Sequence, residues 1–171
     1  MDWQSIKTVN LPSSVMSWVA DTGSLTARCQ NLFAEHYNLR LLDEHWGNPN
    51  QIEQYELNLG PTDKVKIREI FLCNDETPIV FGHSILPQAI FDDEDLNLEE
   101  LGAGSLGHKL FAHPDCQRGP IFVKEINATD ELFIAASKHT VITAASLWAR
   151  YSVFTINHLQ LIVYEVFFDH P

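Results

Sequence analysis

The chain has 171 residues, 45% of them apolar, and 11 Lys and Arg face 23 Asp and Glu for a net charge of −12. That length and apolar share suit one globular domain over residues 1–171, and the excess of acid argues against nucleic acid, which selects a basic footprint. No run of about 18 apolar residues exists to span a membrane. The N-terminal stretch MDWQSIKTVNLPSS lacks the basic start and apolar run of a secretory signal. Three scattered cysteines, Cys29, Cys73 and Cys116, read as free thiols of a reducing cytoplasm. On that reading the Asn127-Ala128-Thr129 sequon is idle.

In chain order, Pro12-Ser13-Ser14 starts a short helix with Val15, Trp18 and Val19 on one face. Ser24 caps a second, whose Leu25, Cys29, Leu32 and Phe33 fall on one stripe. From residue 38 the pattern reads as strands: Asn38–Trp46, Ile52–Leu59, Val65–Cys73 and Ile79–Leu86, with a hairpin turn at Asn74-Asp75-Glu76-Thr77-Pro78 between the last two. The acidic run Asp92–Glu100 reads as a solvated loop and helix start, since it lacks the spacing and Gly of a calcium loop. It is also a candidate for a mobile flap. Leu96–Leu101 reads as a helix ended by Gly102. Two strands, Ser146–Ile156 and His158–Phe168, close the chain around Asn157. Strands joined by short turns predict an α+β fold: one antiparallel sheet of about six strands with helices packed on one face.

Glu165 is the most informative residue. It lies in HLQLIVYEVFF, the most apolar stretch, and alternation puts it on a face with Leu159, Leu161, Val163 and Phe167. A buried carboxylate costs several kcal/mol unless a partner or a ligand satisfies it, so a salt bridge to a buried Arg is the plain alternative to a ligand site. Arg68, in KIREIFLC, offers a guanidinium fork that grips carboxylates bidentately. Parity does not choose between Arg68 and its neighbour, and pattern alone favours Glu69 as the inward residue. Gly102–Gly107 (GAGSLG) can bring backbone N–H groups close to an anion or a ring, but it has neither the P-loop nor the dinucleotide-binding spacing. His108, His113, Asp115 and Cys116 cluster without a metal-ligand spacing, so no metal is expected.

Arg68-Glu69-Ile70-Phe71-Leu72-Cys73, Gly82–Pro87 (GHSILP), Leu106-Gly107 before Leu110-Phe111, Trp148-Ala149-Arg150-Tyr151-Ser152 and Glu165-Val166-Phe167 follow one another as in the chorismate pyruvate-lyase family. With Ser24–Arg28 upstream, the chain resembles that family over roughly residues 15–169. The resemblance implies a cytoplasmic enzyme that splits chorismate into 4-hydroxybenzoate and pyruvate on the way to ubiquinone. It implies no cofactor and no metal, and a ligand held in an internal pocket closed by flaps. Carried over, Arg68 and the backbone N–H of Leu106 bind the ring carboxylate, Glu165 bonds the 4-hydroxyl, and Leu25 and Gly107 line the pocket. Arg150 is a second clamp, ahead of Lys109 and Lys124.

Expected partners are the substrate chorismate and the product 4-hydroxybenzoate, with no nucleic acid and no membrane insertion, and the chain is read as a monomer. Where relatives commonly carry Arg, this chain has His83, His108 and Tyr151, which predicts less fixed positive charge near the pocket. Two other classes remain in view. One is a non-catalytic sensor domain of the same fold that binds small aromatic acids. The other is a structural protein in which Arg68 and Glu165 pair with each other.

Overall fold

Strands that are apolar on both sides need cover on both sides, and that requirement shapes this fold. The computed structural model describes residues 2–168. In chain order it holds β1 (Gln4–Ser5), α1 (Ser13–Val19), α2 (Leu25–Phe33), β2 (Tyr37–Gly47), α3 (Gln51–Leu57), β3 (Val65–Asn74), β4 (Thr77–Pro87), α4 (Gln88–Phe91), α5 (Leu106–Ala112), β5 (Cys116–Arg118), β6 (Phe122–Asn127), α6 (Glu131–Ser137), β7 (Ser146–Ile156) and β8 (Leu159–Phe167). Single 3-10 turns follow α2 at Ala34–His36 and precede α5 at Leu98–Leu101.

The strands form one antiparallel sheet in the order β1-β6-β7-β8-β4-β3-β2, with β5 pairing β7 outside that path. The α+β antiparallel expectation holds, with eight strands rather than about six. The two hairpins turn where residues tolerate the left-handed region: Asp75 has φ 47° and Asn157 φ 55°. Helices pack on both faces rather than one. On the first face α1 and α2 bury Val15, Trp18, Val19, Leu25, Cys29 and Phe33 against Leu72, Val80 and Phe167. There α5 and the segment before it bury Leu96, Leu98, Leu106 and Leu110 against Phe154 and Leu161. On the second face α6 covers Phe71, Phe81 and Val166, while Leu57 of α3 packs with Ile85, Ile162 and Tyr164.

The first two helices form as expected. The Ser24 side chain accepts from the Ala27 N–H, and Leu25, Cys29 and Phe33 are buried, whereas Leu32, placed on the same stripe, is exposed. Ile52–Leu59 is not a strand. Asn50 and Glu53 make a reciprocal capping box that starts α3, and Asn58 ends it at φ 52°. No helix among the described residues is long and apolar enough to cross a membrane.

Candidate functional site

The sheet register carries the candidate residues to one place. Across β3, β4, β8 and β7, Ile70 stands opposite Gly82, Gly82 opposite Glu165, and Glu165 opposite Arg150. The next row is Arg68, Ser84, Val163 and Ser152. Residues paired this way share a face, so Arg68 and Glu165 point to the same side, two strand spacings across and two residues along, about 12 Å between backbones. Gly82 lies between them. A Cβ at Gly82 would meet Ile70 at 2.9 Å, so the floor of the site is open only because that position has no side chain.

Over this floor the starts of two helices meet. Leu25 and Thr26 of α2 and Leu106 and Gly107 of α5 enclose, with Glu165 and Val163 below, a cavity of about 50 Å³. Typical ligand pockets hold about 300–1,000 Å³, so a ring enters only if the lid lifts. The Thr26 and Ser105 hydroxyls lie 2.9 Å apart and fasten α2 to the cap of α5. Gly107 sits against that contact, where a Cβ would lie 3.4 Å from the Thr26 hydroxyl, an ordinary van der Waals distance. The first N–H groups of α5, those of Leu106 and Gly107, have no acceptor within their own helix.

Both polar anchors are held by the protein. Arg68, 2% exposed, donates to Glu44 at 2.6 Å and to the Gly104 carbonyl at 2.8 Å. Glu165 Oε2 accepts from Arg150 Nε at 2.5 Å and from Arg118 at 3.4 Å, while Oε1 has no hydrogen bond among the described residues. Arg150 is fully buried beneath Glu165. Its Nη1 donates to the carbonyls of Trp18, Val19 and Asp21 at the end of α1, and its Nη2 has no partner among the described residues. Arg118 also donates to Ser152 Oγ at 3.0 Å. Burial pulls Arg118 below the ordinary arginine value, and the neighbouring Arg150 adds to that, although Glu165 pulls the other way.

Leu25, Leu106, Gly107 and Glu165 thus line one cavity; Arg68 lies one register row away, and Arg150 supports Glu165 from beneath. Sequence reasoning missed Arg118 and Glu44. Arg118 sits in the three-residue strand β5, without periodicity to mark it, and its partner is 47 positions away. Glu44 was hidden by a β-bulge between Leu41 and Asp43, which shifts the register of β2.

The three positions expected to lower the positive charge near the pocket lie elsewhere. His83 and Tyr151 are on the second face of the sheet, where His83 bonds Glu69 and Tyr151 bonds Glu56. His108 is on the exposed side of α5. Lys109 donates to the Asn97 carbonyl and Lys124 pairs with Asp130 on the second face. Strand parity puts His83, Tyr151 and Lys124 on the other face, and His108 is exposed on α5, so none of them sets the charge beside Glu165.

Among the described residues no group of three or more His, Cys, Asp or Glu is placed to hold a metal. Cys29 packs inside α2, and burial pushes its thiol up to about 12, which removes it as a nucleophile at neutral pH. The site thus places the Glu165 carboxylate in the cavity and the Arg68 guanidinium one register row from it.

Comparison with known proteins identifies the family. The family model described as "Chorismate lyase" matches residues 1–171. A protein of Nitrosomonas europaea named "Probable chorismate pyruvate-lyase" is 33% identical over 159 residues, covering 93% of this chain and 89% of its own. One of Thiobacillus denitrificans with the same name is 31% identical over 156 residues, covering 91% and 83%. Among solved structures, a GntR-family transcriptional regulator from Bacillus cereus superposes with TM-score 0.56 at 16% identity, over 78% of this chain and 92% of its own. The effector domain of PhnF from Mycobacterium smegmatis does so with TM-score 0.54 at 14% identity, over 86% and 90%. These two likenesses concern the fold alone. From its sequence match and its relatives, the chain belongs to the chorismate lyase family.

Proposed function

We propose that the protein is a chorismate pyruvate-lyase, converting chorismate to 4-hydroxybenzoate and pyruvate for ubiquinone synthesis. The observation that carries this reading is Glu165. Two arginines hold its Oε2, while Oε1 has no partner among the described residues, on the residue that lines the closed cavity. A carboxylate fixed in that way is a hydrogen-bond acceptor of set direction. It suits the 4-hydroxyl of a ring whose 1-carboxylate lies on Arg68 and the N–H of Leu106.

The reaction breaks the C3–O ether bond and removes the proton at C4. The electron pair of the C4–H bond becomes part of the aromatic ring, and enolpyruvate leaves and takes up a proton to become pyruvate. Aromatisation supplies the driving force. The protein's share is orientation and exclusion of water. Arg68 and Leu106 fix one end of the ring and Glu165 the other, and Glu165 Oε1 is placed to accept a proton from that end. Leu25 and Gly107 close over the ring. Arg150, fully buried beneath Glu165, sets the direction of that carboxylate.

The test is to mix the purified protein with chorismate without added metal, and to follow both products by chromatography beside Arg68→Ala and Glu165→Ala. Equal formation of 4-hydroxybenzoate and pyruvate, lost in both variants, supports the lyase. Folded protein that yields neither product above the spontaneous rate sinks it, and tight binding of 4-hydroxybenzoate in that case points to a sensor domain.

A further inference from the structure

A second cleft, of about 420 Å³, opens on the face of the sheet turned away from Glu165, between α3, the start of α6 and strands β3, β4 and β8. Its walls are apolar where Ile67, Ile85 and Leu132 line it, but its polar groups do not cancel. Glu53 is 4% exposed, and its two oxygens accept only from Asn50, from the backbone N–H and from Nδ2, each at 2.9 Å. No Lys, Arg or His pairs with Glu53 among the described residues. Burial raises its carboxyl above the ordinary value. The Tyr164 hydroxyl lies beside Glu53 in the same cleft, on a residue 5% exposed, and makes no hydrogen bond of ordinary geometry among the described residues.

The remaining charged groups that face the cleft leave its sign negative. Lys124 is engaged by Asp130 and His83 by Glu69, and Glu131 adds another carboxylate. An anion entering here would meet the carboxylates of Glu53, Asp130 and Glu131 and, among the described residues, no unpaired cation. A buried carboxylate without a counter-charge and a buried hydroxyl without a partner are each costly, and both converge on one apolar space.

We infer that this cleft binds a small organic ammonium ion with an apolar or aromatic body, a site distinct from the aromatic-acid pocket on the other face. The ammonium group donates to Glu53 and Tyr164, and the body lies on Ile67, Ile85 and the Trp3 ring, whose face also attracts a cation. This inference stands whether or not the chain proves to be a lyase.

The test is isothermal titration of the full chain with 2-phenylethylammonium, beside 2-phenylethanol and 3-phenylpropionate, which keep the body and change the charge. The ammonium should bind, with the alcohol and the acid at least tenfold weaker. Glu53→Gln should weaken the ammonium at least tenfold, and Gln serves the capping box of α3 as Glu does, so the variant should fold. Tyr164→Phe, which removes a hydroxyl that makes no hydrogen bond of ordinary geometry among the described residues, should weaken it several-fold with little change in the unfolding midpoint. Absence of binding, equal affinity in both variants, or 3-phenylpropionate binding as tightly as the ammonium would each overturn the assignment.

Discussion

Arg68 is gripped from two sides by the protein itself, by Glu44 and by the Gly104 carbonyl. A ligand carboxylate therefore competes with Glu44 for the same guanidinium. Glu44→Ala should act in two directions at once. Stability should fall by about 1–2 kcal/mol, because a buried guanidinium loses a charged acceptor, which urea unfolding would measure. Affinity for 4-hydroxybenzoate should rise about fivefold, as a competing contact of about 1 kcal/mol is removed, which titration calorimetry would measure. Weaker binding would mean that Glu44 helps to hold the ligand. Arg150 has the opposite role. It is fully buried, and its side chain serves Glu165 and three carbonyls. Arg150→Met should cost about 3–5 kcal/mol, the penalty of leaving a buried charge without its partner; a loss under 1 kcal/mol in urea unfolding would show that Glu165 relaxes into solvent. The two anchors were legible from residue type, because a charged side chain in an apolar strand needs an explanation. The choice between Arg68 and Glu69 was not, because it assumed one buried face. Arg68 is 2% exposed and Glu69 4%, each inward on its own side.

At the level of elements, Glu69 ties three parts of the second face together. Its two oxygens bond His83 of β4 at 3.0 Å and His139, in the connection after α6, at 2.8 Å. Burial alone would raise the Glu69 carboxyl, but the hydrogen bonds and positive charge of the two histidines outweigh it and hold it below the ordinary carboxylate range. The folded state therefore stays ionised where the unfolded chain already takes up a proton. The stability from this group is complete above the unfolded value near 4.5 and is lost as pH falls through the depressed folded value. Glu69→Gln should lower stability by about 2 kcal/mol at pH 6, and it should flatten the acid limb of the stability profile below pH 4.5. An acid limb as steep as that of the parent chain would place the acid sensitivity elsewhere. Sequence periodicity found the long strands and α1 and α2, whose apolar spacing reports burial directly. It failed for α3, where Ile52, Tyr55, Leu57 and Leu59 mimic strand spacing well enough to hide the Asn50–Glu53 box. It also passed over β6 and α6, in part because the charged Lys124, Glu125, Asp130 and Glu131 of that segment resemble loop composition.

For the whole molecule, the consecutive apolar residues of β3, β4 and β8, such as Ile70–Cys73, Ile79–Phe81 and Leu161–Tyr164, were the readable sign that both faces of the sheet are covered, although short turns suggested one. The consequence for binding is that the candidate pocket lies inside the structure, between the sheet and the meeting point of α2 and α5, rather than on its surface. A ligand enclosed there binds the folded chain and has no counterpart site in the unfolded one, because Arg68, Leu106 and Glu165 come from segments that only folding brings together. Its binding energy is therefore added to the stability of the fold. At a free concentration of 100 times its dissociation constant, 4-hydroxybenzoate should add about 2.7 kcal/mol. For a chain of this size each kcal/mol moves the unfolding midpoint by about 2–4 °C, so calorimetry should show a rise of roughly 5–11 °C. In Arg68→Ala and in Glu165→Ala the same concentration should give little rise, because each variant loses one end of the ring's grip. A full shift in both variants would mean that the acid binds outside the cavity over Gly82, and would move the search for the site away from the first face of the sheet.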